Sequence, residues 1–261
     1  MLVSKSTAQS FIYQPPQNAF GAQRILLKPN LGYPKVAPVT VSMGVLKAVL
    51  TGLRQASPQA EILIVEGVCS AVSLVDIAGR LGVYQLLDEG MKLVDADELP
   101  LIEYPNKSKK PVRFQQMWAP ELLQEVDCRI SLGTLKRTNL KGETLISASL
   151  KNLYGLFPRA MYKARSSNSR GQLHRPSVPE VLEDVYFSIG HLFDAAVVDA
   201  DLRLISRDWQ PDKGDTVQSG QVFWGDSLLE VDRSACENVG ETVPSYITAI
   251  CSKLSQPQSS S

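Results

Sequence analysis

The stretch Arg24-Ile-Leu-Leu-Lys-Pro-Asn-Leu-Gly32 decides the fold. Three consecutive aliphatic residues between charged ends, closed by Pro29, read as a short strand buried on both faces. A strand with one wet face would alternate apolar and polar side chains instead. The same pattern returns in Glu61-Ile-Leu-Ile-Val65 and in Ala195-Ala-Val-Val-Asp199; Lys92-Leu-Val94 reads as a shorter strand and Cys128-Arg-Ile-Ser-Leu132 as another central one. Between them lie stretches of helical period: Val39 to Gln55, Val72 to Leu87 with a break near Gly82, and Glu180 to His191. Buried strands alternating with helices predict a single doubly wound α/β domain, a mostly parallel sheet with helices on both faces.

The remaining segments fit around that frame. Residues 101–118 read as a β excursion with the Lys-rich turn 106–110, Leu145 to Leu153 as a helix, and 158–179 as non-helical. Gln221-Val-Phe-Trp224 reads as a late strand and Ser227 to Asn238 as a helix stopped by Gly240. Residues 1–20 are expected to form an N-terminal extension, 21–254 the domain, and the Ser/Gln/Pro-rich 255–261 a disordered tail. The polar N-terminus has no apolar centre and no run reaches membrane-span length, so a cytoplasmic protein without a membrane partner is expected. Cys69, Cys128, Cys236 and Cys251 are scattered and form no CxxC pair. With only His174 and His191 beside them, no metal site is expected.

The 27 basic and 27 acidic residues cancel, but not locally. Residues 1–127 are balanced; 128–179 hold 10 basic groups against Glu143 alone; 180–261 hold 5 basic against 14 acidic. The middle segment points to an anionic partner, while the overall neutrality argues against nucleic acid.

In open parallel sheets ligands bind beyond the carboxyl ends of the strands. After the first strand stand Lys28, Pro29 and Asn30; after the second, Glu66 and Gly67. After the fourth come Lys136, Arg137, Thr138 and Asn139, and the last two strands lead into Asp199 and Asp226. Each taken alone is an ordinary loop residue; their recurrence at strand ends marks a cleft. Lys151, in the apolar run Ser149-Leu-Lys-Asn-Leu-Tyr-Gly155, has cationic neighbours on both sides in sequence. Desolvated there, it would act as base or nucleophile. The expected site has Lys151, Asp199 and Asp226 as catalytic groups. Lys28, Asn30, Lys136, Arg137, Thr138 and Asn152 would hold the substrate, and Glu66 is a further acid. The expected geometry brings the lysines of the positive segment together with Asp199 and Asp226. The basic Arg159 to Arg175 stretch fits either a lid over an anion or a solvated loop. Neither GxGxxG, GxxxxGK[ST] nor GxSxG occurs, so no nucleotide motif indicates a cofactor.

Taken in order, LLKPNLGYPK, ILIVEG, SLGTLKRTN, SLKNLYGLFP, AVVDADL and WGDSLLEVDRSACENVG resemble the domain of unknown function 362 family over roughly residues 24–240. Many of its members are described as iron–sulfur proteins because a ferredoxin-like cysteine cluster is fused to the domain. This chain has no CxxCxxCxxxC run, so no iron–sulfur motif carries over. The family's Lys-Thr-His segment is Lys136-Arg137-Thr138-Asn139 here, with asparagine where histidine is expected. Its GDDP-like loop is Gly225-Asp226-Ser227-Leu228. The function expected is an enzyme acting on a small anionic carboxylate or phosphate through lysine and aspartate acid–base chemistry. The alternatives are a redox-associated protein docking on a separate ferredoxin-like partner, and a non-catalytic ligand sensor.

Overall fold

The computed structural model describes residues 3–140, 143–207, 210 and 212–255. The expected tail residues 256–261 therefore lie outside the described residues, as does Lys141 in the positive segment. The chain begins with β1 (Ser4–Thr7), then β2 (Arg24–Pro29), α1 (Met43–Ala56), β3 (Glu61–Glu66), α2 (Leu74–Leu81) and β4 (Met91–Asp95). A hairpin of β5 (Leu101–Pro105) and β6 (Gln116–Pro120) follows, then β7 (Cys128–Leu140) and β8 (Glu143–Ser147). The short helices α3 (Ser149–Asn152) and α4 (Arg159–Tyr162) lead to α5 (Val178–Ser188) and β9 (Ala195–Arg207). The chain ends in β10 (Asp215–Gly225), α6 (Leu228–Asn238) and α7 (Ser245–Leu254).

The main sheet has the order β1-β10-β9-β7-β2-β3-β4, with β8 paired to β7. Strands β9, β7, β2, β3 and β4 are parallel, and β10, β1 and β8 join antiparallel. The doubly wound, mostly parallel sheet is what the chain forms. The side chains of β2 show why both faces close. Leu26 belongs to one apolar core with Leu63, Val65 and helices α3, α5, α6 and α7. Ile25 and Leu27 belong to a second with Ile62, Ile64 and the apolar stripes of α1 and α2. Residues 3–20 supply the edge strand β1 and pack Phe11 and Tyr13 into the second core, Phe11 edge-on to Trp224 at 5.1 Å.

The chain winds outward from β2 through β3 to β4, then returns to place β7 on the other side of β2. The carboxyl ends of β2 and β7 therefore flank the topological switch point, the favoured ligand position in this architecture.

Three differences from the sequence reading matter for the site. The first helix starts at Met43, where Ser42 caps it by accepting from the Val45 N–H at 3.4 Å. Val39 and Val41 are buried in the loop crossing the strand ends. Residues 133–139, expected as a strand-end loop, continue β7 to Leu140, and the first three residues of the helix expected over Leu145 to Leu153 belong instead to β8 beside them. An apolar run this short fits either period, and the cross-strand partner decides it. The extended β7 is matched by an extended β9, with Lys136 opposite Leu204 and Asn139 opposite Arg207. The long strands make an arm that runs past the level at which β2 and β3 stop. Finally, β10 runs antiparallel to β9, so its carboxyl end opens at the opposite edge of the sheet.

Candidate functional site

At the switch point the segment carrying α3 docks end-on against β2, β3 and β7. Asp232 on α6 fixes its start: the carboxylate accepts from the Ser149 N–H at 2.8 Å, the Ser149 hydroxyl at 2.6 Å, the Leu150 N–H at 3.1 Å and the Tyr246 hydroxyl at 2.9 Å. Asn152 at its other end donates to the Lys28 carbonyl at 2.7 Å and to Ser131 Oγ at 3.1 Å. The approach is so close that side chains have no room. A Cβ on Gly155 would lie 2.2 Å from Glu66 Oε1 and 2.7 Å from Lys28 Cε, and one on Gly67 would lie 2.2 Å from the Gly155 carbonyl oxygen.

Lys28 is 1% exposed and saturated. Its Nζ donates to Glu66 Oε1 at 2.7 Å, the Pro29 carbonyl at 2.9 Å and Asn152 Oδ1 at 3.2 Å. Glu66 also accepts from the N–H groups of Leu31 at 2.6 Å and Gly67 at 2.9 Å. Burial pulls the Lys28 ammonium below its ordinary range, and Glu66 opposes that shift. Three donors and three acceptors leave nothing for a substrate. Lys28 and Asn152, expected to bind it, instead brace the floor beneath the cleft.

Lys151 and Lys136 are different. Both are half-buried. Burial pushes each down to about 8; Lys151 adds to the effect on Lys136, and Arg170 to that on Lys151. Lys136 reaches from the β7 arm to donate to the Val39 carbonyl. Lys151 Nζ sits over the Tyr154 ring, 4.1 Å from its centroid, and among the described residues it makes no hydrogen bond or ion pair. Cys69 partly opposes the shift of both lysines. Asn30, half-buried, donates to Thr134 Oγ1 at 2.8 Å beside them. Next to Lys136, a surface groove of about 530 Å³ opens between residues 35–39 and the β9–β10 turn, lined by Val39 and Leu204.

The basic segment 159–175 contributes a residue that its polar composition concealed. Arg170 is 3% exposed and clamps the site from above. It donates to the carbonyls of Gly67 at 3.0 Å, Val68 at 3.1 Å, Gly155 at 3.3 Å and Phe157, and to Cys69 Sγ at 3.4 Å. Asp97 balances it at 3.4 Å and also binds Arg159 at 2.6 Å. His174 packs edge-on to Tyr154 at 5.7 Å, and burial, with Lys151 nearby, lowers it to about 4. Only a fixed charge pattern, two arginines answered by one distant aspartate, could have pointed to this clamp, and sequence separation hides it.

The other expected residues are elsewhere. Arg137, next to Lys136 in a strand, points to the opposite face and pairs with Glu241 at 3.2 Å. Thr138 exchanges a hydrogen bond with Ser206 across the arm at 2.7 Å. Asp199, 1% exposed, accepts from the N–H groups of Ser42 at 2.8 Å and Asp201 at 3.1 Å, so it receives the start of α1 rather than a lysine. Asp226 lies at the far edge, beside Tyr13 and Trp224 in a separate 180 Å³ cleft. The expected meeting with Asp226 does not occur, and Asp199 lies beside the positive segment only through the β7–β9 register, opposite Thr134, with no lysine as its partner. The carboxylates at the cleft are Glu66 and Asp97, from the balanced first half. Five cations (Lys28, Lys136, Lys151, Arg159 and Arg170) stand against those two. Among the described residues no three His, Cys, Asp or Glu side chains gather as a metal site requires, and no helix is long and apolar enough to cross a membrane.

Comparison with known proteins adds three findings. The family model described as domain of unknown function (DUF362) matches residues 25–237. Curated proteins give no match. Among solved structures, the lactate racemase apoprotein from Thermoanaerobacterium thermosaccharolyticum is similar at 15% identity with a TM-score of 0.54, over 90% of this chain and 54% of that one. The chain thus spans about half the length of that solved protein, and at this identity the likeness is one of fold.

Proposed function

The chain belongs to the DUF362 family, and from that premise we propose that it is an enzyme acting on a small carboxylate or phosphate at the carboxyl ends of β2, β3 and β7. The observation that carries this reading is the pair Lys136 and Lys151, half-buried, electrostatically coupled and answered by no carboxylate of their own. Two ammonium groups held out of water repel each other and lose hydration, a cost that an anion between them removes. Lysines lowered to about 8 also carry a sizeable neutral fraction near neutral pH, the condition for moving a proton to or from a bound substrate. Lys136 holds the anionic group, Asn30 and Thr134 form the polar rim, and Lys151 is the acid–base group. Arg170 and the Lys28–Glu66 pair position these residues without touching the substrate. The name of the structural neighbour, lactate racemase, specifies a small carboxylate and so agrees in size and charge with this cleft.

Thermal melts with lactate, pyruvate, phosphate and sulfate test the reading. At least one should stabilise the wild type, and Lys136→Met should lower the apparent affinity tenfold or more. Arg137→Ala, on the other face, should bind like the wild type. Equal stabilisation of Lys136→Met, or none of any protein by any anion, overturns the assignment.

A further inference from the structure

Of the three lysines at the strand ends, Lys28 has three acceptors, Lys136 has the Val39 carbonyl, and Lys151 has none among the described residues. An ammonium that serves only as a fixed counter-charge is ordinarily locked by acceptors, as Lys28 is. Lys151 is held instead by an aromatic face. Tyr154 is itself immobilised, buried and donating its hydroxyl to the Leu173 carbonyl at 2.6 Å, so the ring is a rigid platform under Nζ. The surroundings are arginine and lysine rather than carboxylate, the arrangement that favours a neutral, nucleophilic amine. The nearby Cys69 thiol is already engaged by Arg170.

We propose that Lys151 is a covalent nucleophile that forms an iminium with the carbonyl carbon of a small oxo acid, whose carboxylate Lys136 receives. This rests on the reading of the cleft as a small-anion site and narrows the substrate class to carboxylates bearing an aldehyde or ketone. The nitrogen lone pair of neutral Lys151 attacks the carbonyl carbon, and the C–N bond forms as the C=O π electrons move to oxygen. That oxygen leaves as water, with one proton from the nitrogen and two in total once one more is taken from solvent. The product is a protonated C=N bond, with no oxidation or reduction. The positive nitrogen then draws electrons through the C=N carbon from the carbon beyond it, which loosens a proton there in a substrate such as pyruvate.

The experiment is reductive trapping of the full chain with pyruvate or glyoxylate and sodium cyanoborohydride, read by intact and peptide mass spectrometry. Lactate, with the same carboxylate and no ketone, is the control. The expected result is one reduced adduct per chain on the peptide carrying Lys151, none with lactate, and none at that peptide in Lys151→Arg. Arg137→Ala, whose side chain lies on the opposite face, should label at Lys151 like the wild type. If lactate raises Tm but pyruvate and glyoxylate leave Lys151 unlabelled, or label only surface lysines, the iminium is refuted while the anion site stands. If no carboxylate or phosphate raises Tm and Lys151 is unlabelled, both fail. The wild-type labelling site decides the matter even where a variant does not fold.

Discussion

Replacing Lys151 by methionine should make the ligand-free protein more stable, an unusual outcome for a substitution in a proposed active site. The ammonium sits at about 8 in the folded chain against an ordinary 10.5, a difference of about 3 kcal/mol at roughly 1.4 kcal/mol per unit. Methionine keeps the length of the stem and removes the charge, but gives up the contact with Tyr154, worth about 0.5–2 kcal/mol. The net gain at pH 7 is about 1–3 kcal/mol, or roughly 2–10 °C in Tm for a chain of this size. The sign follows from proton linkage. Below about 8 both states are protonated and the folded state carries the whole penalty. Between about 8 and 10.5 the folded state has released its proton while the unfolded chain still holds it, so wild-type stability recovers as pH rises. The groups facing Lys151 are Lys136 from β7, Cys69 beyond β3, Arg170 and His174 from the basic segment, and Tyr154 beside it. Lys136 and His174 stay in place but both lose a neighbouring charge in Lys151→Met, so the advantage at pH 7 includes the relief of Lys136. Urea unfolding of both proteins at pH 7 and pH 10 measures it, with the advantage of Lys151→Met shrinking by about 2 kcal/mol at the higher pH. A variant less stable than the wild type at pH 7, or an advantage independent of pH, would refute the picture of a desolvated, unpaired ammonium.

Other perturbations test the frame around it. Glu66→Gln leaves the Lys28 ammonium buried without its counter-charge and should cost about 3–5 kcal/mol in chemical denaturation. Gly155→Ala should destabilise by about 1–3 kcal/mol and raise anion Kd, since the new methyl must push Glu66 and Lys28 apart. Arg170→Lys cannot satisfy four carbonyls and Asp97 from one ammonium, and amide exchange of residues 155–175 should accelerate markedly. His174, lowered to about 4, stays neutral in the fold; its contribution is present above pH 6.5 and lost as pH falls toward 4. Unfolding of His174→Gln should therefore lose about 3 kcal/mol less than the wild type over that interval.

Much of this architecture was legible in the sequence because β2 and β3 are buried on both faces, and an uninterrupted aliphatic run is the direct mark of that burial. The β7–β9 arm was not. Residues 133–139 carry the polar side chains of a loop, and only the partners across the arm make them strand. That single difference also misplaced Arg137, because a loop imposes no alternation while a strand sends neighbours to opposite faces; Thr138, on the face of Lys136, is taken up by Ser206 farther along the arm. Asp226 was placed wrongly for a topological reason: the direction of the last strand is invisible in its own residues. Lys151 was visible as a charge in an apolar run, and Lys136 as a cation following a strand. Arg170, Asp97 and Cys69 were not, since what assembles them is contact across 70 to 100 residues of chain.

The Lys28–Glu66–Asn152 brace bears on how such chains are compared. Lys28, Pro29 and Asn30, with Ser149 to Gly155, form the most distinctive sequence signature here, and most of those residues hold strands and helix together. A search tuned to that signature gathers proteins with a common chassis, irrespective of the chemistry mounted on it. A loss of activity after mutating Lys28 would register a broken joint, not a missing reactant. In the proposed mechanism the reacting side chains are Lys136, which lies outside that signature, and Lys151, which lies within it but takes no part in the brace.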